Sequence, residues 1–139
     1  MKLEKILNRL KKFPKKDRGK FSYWFYHVLA FNLVAIKLKA WKPRYLFHDI
    51  EKPFLKLILR DYKKVQKIHR KYNNHHLEYY KGINKINYET LIIDWECSQY
   101  TKLASPNNAR EEVQMKYLTN EISETVYNKL LNTLDKLNL

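Results

Sequence analysis

The sequence is poor in the residues that interrupt helices and form tight turns, with only 2 Gly and 4 Pro among 139 residues. A β-sheet protein of this length needs a turn signal about every 8–12 residues, and the chain has too few glycines, prolines and Asn-Gly pairs to provide them. This scarcity argues against a sheet protein and predicts an all-α fold. Because a single core suits a chain of this length, we expect one compact helical bundle of about six helices over residues 1–139.

Cysteine occurs once, as Cys97, so no disulfide can form within the chain. No N-terminal stretch combines the charged start, apolar segment and small-residue cleavage site of a secretory signal, and we therefore expect a cytoplasmic protein. Long apolar runs are also scarce. The best candidate, residues 21–38, is interrupted by His27, Asn32 and Lys37 and is barely long enough for a bilayer, so it predicts a buried helix and no membrane span.

Acidic residues are half as frequent as basic ones, with 14 Asp and Glu against 28 Lys and Arg, which gives a net charge of +14. The excess lies in residues 1–93, which hold 23 basic and 7 acidic residues, while residues 94–139 hold 5 and 7. Such a charge attracts an anionic small molecule, in particular a phosphorylated one, or nucleic acid. Lysine also makes helix faces soluble, so the charge alone does not select the anion.

The spacing of apolar residues divides the chain into helices. Residues 1–20 are expected to form a basic amphipathic helix and a connection, residues 21–103 the core of the domain, and residues 104–139 the C-terminal helices. The predicted helices or helix starts are residues 1–13, residues 22–41, a segment from Tyr45, residues 53–72, residues 87–103, a start at Ser105-Pro106, and a last helix from Thr119.

Two polar residues share helix faces with apolar ones. His69 continues a stripe at spacings of three and four that also contains Phe54, Ile58, Tyr62, Val65 and Tyr72. Asp94 lies on one face with Leu91, Trp95 and Ser98. An acid or an imidazole buried without partners costs several kcal/mol, so both residues need hydrogen-bond donors, each other, or a cation.

A metal ion would satisfy the whole set of polar residues that we expect to point inward, which includes all five histidines. A single buried His or Asp is more often a hydrogen-bonded core residue, but histidines on several helical segments indicate a shared site. Imidazoles with carboxylates suit Mn, Fe, Co, Ni or Zn, and one or two such ions would fit. Adjacent side chains leave a turn in different directions, so either His75 or His76 is open as the ligand. The candidate ligands are His27, His48, Asp49, His69, His75, His76 and Asp94.

The order of these residues resembles the metal ligands of the HD superfamily, in the subgroup that holds two metals. Residues 48–52, His-Asp-Ile-Glu-Lys, also resemble the HD-I-x-K segment of HD phosphohydrolases, although Glu51 stands where glycine is usual. A closer resemblance is to the phage and bacterial domain-of-unknown-function family 5662. It covers roughly residues 20–103 and is carried by the spacing of His27 and His48, by residues 69–80, and by Asp94-Trp95. Tyr80 stands where that family commonly has Trp, and the family has no established activity.

The resemblance implies an HD-like domain in which His27, His48, Asp49 and Asp94 bind a first metal. His69 with His75 or His76 would hold a second metal, with Asp49 as the bridge. The implied activity is that of a phosphohydrolase acting on a phosphomonoester or phosphodiester, such as a nucleotide or another phosphorylated small molecule. Metal-activated water would attack phosphorus in line.

The same resemblance, together with the charge of the side chains, implies roles for further residues. Asp49 and Lys52 are the expected catalytic residues, with Lys52 neutralising charge that develops on the phosphate. Arg44, Arg70 and Lys71 are candidates for holding the remaining phosphate oxygens. Asn73 and Glu78 are candidates for orienting imidazole rings.

Three alternatives stay open at this point. Some HD-type proteins with a similar ligand set hold two irons and activate dioxygen, so a di-iron oxygenase is the second enzyme class. A non-catalytic domain could bind nucleic acid through its basic faces, with bases stacked on tyrosines. A purely structural metal site ranks lower, because such sites are mostly four-coordinate and rich in cysteine. The tyrosines concerned in the second case are Tyr72, Tyr79, Tyr80 and Tyr88.

Overall fold

Residues 2–12, 21–102 and 107–139 are described by a computed structural model. These residues form seven α-helices, two short 3-10 helices and no strand, which confirms the prediction of an all-α single domain. The 3-10 helices are Pro43–Phe47 and Ile83–Lys85. The α-helices are α1 (Lys2–Lys12), α2 (Phe21–Lys37), α3 (Glu51–Leu59), α4 (Tyr62–Tyr72), α5 (Tyr88–Thr101), α6 (Ala109–Leu118) and α7 (Glu124–Lys136).

Helix α5 lies at the centre of the molecule. It packs against α1, α2, α6 and α7, and its residues Leu91, Ile92, Ile93 and Cys97 are completely buried. A helix with buried residues on all sides must be enclosed by its neighbours, and here the enclosing helices come from both ends of the chain. The pair α3 and α4 packs together at another side, where α3 also contacts α2.

Two predicted helix boundaries are wrong. Residues 53–72 are not one helix, because Arg60 adopts a left-handed backbone with φ of +54° and Asp61 begins a new helix by accepting a hydrogen bond from the Lys63 amide at 3.0 Å. In consequence Phe54 and Ile58, predicted to face the core with His69, are 62% and 76% exposed.

The last helix begins later than predicted. The Thr119 hydroxyl donates to the Met115 carbonyl at 2.9 Å and so belongs to the end of α6, while the Ser123 hydroxyl caps the Val126 amide at 3.3 Å and starts α7. The predicted start at Ser105-Pro106 lies outside the described residues, and α6 is capped by Asn108.

Helix α2, which contains the longest apolar run, has 17 residues and buries His27 and Asn32 among its apolar side chains. Within the described ranges, no helix combines the length and the apolar character needed to cross a membrane.

Candidate metal centre

The seven predicted metal ligands lie together in the structure. Helix α2 contributes His27, the turn before α3 contributes His48 and Asp49, and α5 contributes Asp94. The remaining three are histidines at positions 69, 75 and 76, from α4 and the loop that follows it. All are buried except His76, which is partly buried. Segments far apart in sequence therefore place five imidazoles and two carboxylates in one cluster, which we call the histidine cluster.

The Asp49 carboxylate is at the centre of the histidine cluster. Its Oδ1 atom lies 3.1 Å from Nε2 of His75, 3.2 Å from Nε2 of His69 and 3.4 Å from Nε2 of His48. Its Oδ2 atom lies 2.7 Å from Nζ of Lys52 and 3.6 Å from Nε2 of His27. A single carboxylate thus faces four imidazoles and one ammonium group.

The second carboxylate, that of Asp94, lies at one side of the cluster. Its Oδ1 atom is 3.0 Å from Nε2 of His27 and 3.3 Å from Nε2 of His48. The His48 ring is stacked on Phe31, with ring centroids 3.8 Å apart, which restricts its orientation. Asp94 therefore joins helices α2 and α5 to the turn that carries His48.

The other side of the cluster consists of His69, His75 and His76. Nε2 of His76 lies 2.7 Å from Nε2 of His69, and the rings of His75 and His76 are 4.4 Å apart. Both members of the adjacent pair therefore face the cluster, and both are candidate ligands.

The turn that carries His48 and Asp49 is held by helix α2. Asp49 has a φ of +56°, a left-handed conformation that aspartate tolerates better than most residues. The Trp24 indole N–H donates to the His48 carbonyl at 3.1 Å, and the Asn32 amide donates to the Tyr45 carbonyl at 2.8 Å. These bonds fix the backbone on both sides of the turn and so place the two ligand side chains.

Glu51 is a site residue that sequence reasoning missed. Its carboxylate accepts a hydrogen bond from Nδ1 of His69, and the Asn73 side-chain amide donates to the same carboxylate at 3.0 Å. The sequence signal was present, since Glu51 is an acid in the first helical turn after the His48-Asp49 pair. In the sequence, however, Glu51 stands out only as a departure from the glycine of the HD motif.

The electrostatics keep both carboxylates ionised. Burial raises the pKa of Asp49, but His48 and Lys52 outweigh it and hold that pKa well below its usual value. Burial also raises the pKa of Asp94, but the hydrogen bonds from His27 and His48 outweigh burial and hold that pKa well below its usual value. For Lys52, burial lowers the pKa, but the nearby carboxylates of Asp49 and Asp94 raise it overall.

The pKa values of His48, His69 and His76 are shifted in different directions. Burial lowers the pKa of His48, and burial together with His75 lowers the pKa of His76 to about 2. The pKa of His69 is raised instead, because hydrogen bonds to Asp49 and Glu51 outweigh its burial. His48 and His76 are therefore neutral at pH 7, which is the form of imidazole that binds a metal.

The spacing of these atoms fits a coordination shell. Metal–nitrogen bonds of about 2.1 Å place neighbouring ligand atoms about 3.0 Å apart in an octahedron and about 3.4 Å apart in a tetrahedron. Five of the six distances from the carboxylates of Asp49 and Asp94 to the histidine nitrogens are 3.0–3.4 Å and fall in this range, while the sixth, from Asp49 to His27, is 3.6 Å. The buried His and Asp residues could thus hold a metal ion.

Cys97 lies next to the cluster. Its sulfur is 3.8 Å from Nδ1 of His27 and donates to the Asp94 carbonyl at 3.1 Å. Burial, and then the charge of Asp94, raise the pKa of the thiol well above its usual value in the metal-free protein. Cys97 also forms a group with His27 and Asp94 that could hold a metal ion, since one ligand atom of each residue lies within 4.8 Å of the others.

The residues predicted to hold phosphate differ in whether they line a cavity at the cluster. Arg70 lines a polar cavity next to His76 and Asp94. Lys71 is exposed beside Tyr72 and lines an outer groove. Arg44 is exposed, stacks on its neighbour Tyr45 and lines neither cavity at the cluster. Glu78, predicted to orient an imidazole, is exposed and lies 3.6 Å from Arg70.

Two cavities meet at the histidine cluster, and both are lined by His27 and Lys52. The polar cavity has a volume of about 130 Å³ and includes Arg70 and Asp94 in its wall. The apolar cavity has a volume of about 260 Å³ and includes Trp24 and Leu57 in its wall. The cluster is therefore reachable by small molecules from two sides of different chemistry.

No family model, curated protein or solved structure matches this chain significantly. The resemblance to the HD superfamily and to family 5662 stays a prediction from the sequence, and the functional argument depends on the geometry of the cluster.

Proposed function

We propose that this protein is a divalent-metal-dependent phosphohydrolase of HD type. The observation that carries the proposal is the convergence of imidazole nitrogens and carboxylate oxygens on Asp49, beside a buried lysine and at the junction of two cavities. A structural metal site would not need two cavities at its ligands. A basic binding domain would not need buried histidines.

The structure offers two groups of candidate ligands. One group comprises His27, His48 and Asp49, with Asp94 next to it, and the other comprises His69, His75 and His76. Asp49 Oδ1 also lies 3.2 Å from His69 and 3.1 Å from His75 of the second group. Within each of these triplets, one atom per residue lies within 4.8 Å of the others. This arrangement supports two adjacent metal positions with Asp49 between them.

A divalent metal held here would supply a Lewis acid that polarises a phosphoryl oxygen and acidifies water. In the balanced reaction, the oxygen of water bonds to phosphorus, the bond from phosphorus to the ester oxygen breaks, and the released alcohol takes a proton from the water. Lys52 lies 2.7 Å from Asp49 and lines both cavities, so its ammonium group can neutralise charge on the phosphate. Arg70 can pair with a phosphate oxygen from the polar cavity.

The first test is metal content, measured by elemental analysis of untagged protein purified without added metal. We expect about one or two transition-metal ions per chain, lost in the double variant H48A/D49A. A matched control is N120A/E121A, a pair of adjacent polar residues that are exposed. Circular dichroism and gel filtration establish that each variant is folded. A wild-type chain that binds no ion after incubation with Mn, Fe, Co, Ni and Zn would contradict the proposal.

The second test is phosphate release from 4-nitrophenyl phosphate and formation of 4-nitrophenol from bis(4-nitrophenyl) phosphate by the metal-loaded chain. We expect turnover of at least one of these esters, and none by H48A/D49A. A chain that binds iron, consumes dioxygen and hydrolyses neither ester would instead be the oxygenase that the same ligand set also suits.

A further inference from the structure

We propose that the substrate is a phosphate ester of an apolar alcohol, with its apolar group in the apolar cavity and its phosphate at the histidine cluster. This inference rests on the proposed phosphohydrolase activity and names its substrate class. The cavity is continuous with the cluster, because His27, Asp49 and Lys52 form part of its wall.

The outer wall of this cavity offers a ligand little besides apolar contact. It is formed by Phe21, Trp24, Pro53 and Leu57, and the rings of Phe21 and Trp24 are 5.2 Å apart. The only polar atom of the Trp24 side chain, Nε1, already donates to the His48 carbonyl at 3.1 Å. The rest of the cavity wall also contains the polar residues Tyr23, Lys56 and Tyr62. A hydroxyl placed against Phe21, Trp24, Pro53 and Leu57 would lose its hydrogen bonds to water, so this part of the wall favours an apolar group.

The size of the cavity indicates the size of the group. A cavity of about 150 Å³ is known to hold benzene, so the volume of about 260 Å³ accommodates a group of one or two rings or a short branched chain. Leu57 and Phe21 are 75% and 65% exposed, so the cavity opens to solvent at this side and a group can enter without rearrangement of the core.

The charges place the phosphate at the inner end. Lys52 is 2.7 Å from Asp49 at the cluster, and Lys56 lies one helical turn further along α3 in the same wall. An anionic head directed toward Lys52 brings the phosphorus to the metal ligands, and the apolar group then points toward Leu57. The reverse orientation would move the phosphorus away from the candidate metal ligands and leave Lys56 as the cation beside the phosphate.

The experiment compares two phosphate esters of primary alcohols, benzyl phosphate and glycerol 1-phosphate, whose leaving groups are similar and whose organic parts differ in polarity. With the metal-loaded full chain, we expect kcat/KM to be at least about tenfold higher for benzyl phosphate. The variant L57S should lose most of this preference, because KM should rise more for benzyl phosphate than for glycerol 1-phosphate. The control is L118S, because Leu118 is 78% exposed, similar to Leu57, and lines neither cavity.

A binding measurement makes the result independent of turnover. Titration calorimetry with benzylphosphonate, which cannot be hydrolysed, should give a several-fold weaker affinity for L57S than for wild type or L118S. Equal kcat/KM for the two esters, with L57S behaving like L118S, overturns the apolar-substrate inference and leaves the phosphohydrolase in place. A metal-loaded chain that hydrolyses a 4-nitrophenyl ester but neither of these two monoesters overturns the inference alone. A chain that hydrolyses none of the four esters overturns the proposed function, and the inference with it.

Discussion

Nδ1 of His69 donates a hydrogen bond to the Glu51 carboxylate, so Nε2 is the atom of this ring that faces the cluster. The lowered pKa of Glu51 keeps it ionised, because the hydrogen bond from His69 outweighs the effect of burial, and an ionised carboxylate can only accept. Nε2 then lies 3.2 Å from Asp49 Oδ1 and 2.7 Å from Nε2 of His76. A lone pair on Nε2 of His69 would repel the Asp49 carboxylate oxygen, so a proton or a metal ion is required between these two atoms.

This relationship predicts that Glu51 strengthens metal binding. Carboxylates that hold the outer nitrogen of a metal-binding imidazole typically contribute about 10–100-fold to affinity. We expect E51Q to weaken binding of Zn or Mn by that factor, because a neutral amide is a weaker acceptor from Nδ1. Competition with a chelator of known affinity measures the change. E121Q, at an exposed position, is the control, and an unchanged affinity in E51Q would assign Glu51 a structural role only.

Metal binding should release protons in a pH-dependent way. The pKa of His69 is raised, so in the metal-free protein this ring keeps its proton up to a pH above 6.5, and a metal ion must displace that proton. Affinity should therefore rise with pH. Calorimetry in buffers of different ionisation enthalpy should show more proton release at pH 6.5 than at pH 8.5, and equal release at the two values would contradict this assignment.

His76 should make the metal-free protein less stable as pH falls below 6.5. Its folded pKa of about 2 lies below the ordinary 6.5, so in this window the unfolded chain binds a proton that the folded chain does not. The free energy of unfolding then falls by up to about 1.4 kcal/mol per pH unit. Urea denaturation at pH 6.5 and pH 5 in the presence of a chelator should show a smaller loss for H76Q than for wild type. His48 and His69 remain in both proteins, so the difference isolates His76.

The convergence of the candidate ligands was predictable from the sequence, because they are polar residues that a helical pattern or an unusual pairing distinguishes. His69 and Asp94 are buried beside Val65 and Leu91 as the spacing requires, although Phe54, Ile58 and Tyr72 of the stripe with His69 are exposed. The contact between Glu51 and His69 was not predictable, since 18 residues separate them and an acid in the first turn of a helix is common for local reasons. Only the packing of α3 on α4 brings the two together.

The break between α3 and α4 could not be predicted from the sequence either. The apolar spacing runs through Arg60 without interruption, and arginine is a good helix former, so nothing local marks a left-handed residue there. The separation lets α3 turn away, which brings its first turn with Glu51 and Lys52 to the cluster and leaves Leu57 at the mouth of the apolar cavity.

This break can be tested by substitution at Arg60. Its φ of +54° is strained for a residue with a side chain and relaxed for glycine, so R60G should raise the free energy of unfolding by about 0.5–1 kcal/mol. R60A removes the same side chain without relieving the strain and should give no such gain. Chemical denaturation measures both, and metal content should be unchanged. A loss of stability in R60G as large as that expected for a mid-helix glycine would mean that α3 and α4 are continuous in solution.

Substitution of Lys52 should affect catalysis without affecting metal binding. In K52M the imidazoles and carboxylates of the cluster remain, so metal content should stay near the wild-type value, and loss of a cation beside Asp49 should not weaken the attraction for a metal ion. Phosphate release should nevertheless fall by about 100-fold or more, because the ammonium group no longer meets charge that develops on the phosphoryl oxygens. The exposed Lys63 provides the control K63M, which removes one positive charge from the neighbouring helix. Elemental analysis and steady-state kinetics on the same samples distinguish the outcomes. Full metal content with full activity in K52M would exclude Lys52 from the reaction. Loss of metal in K52M would instead show that Lys52 supports the position of Asp49.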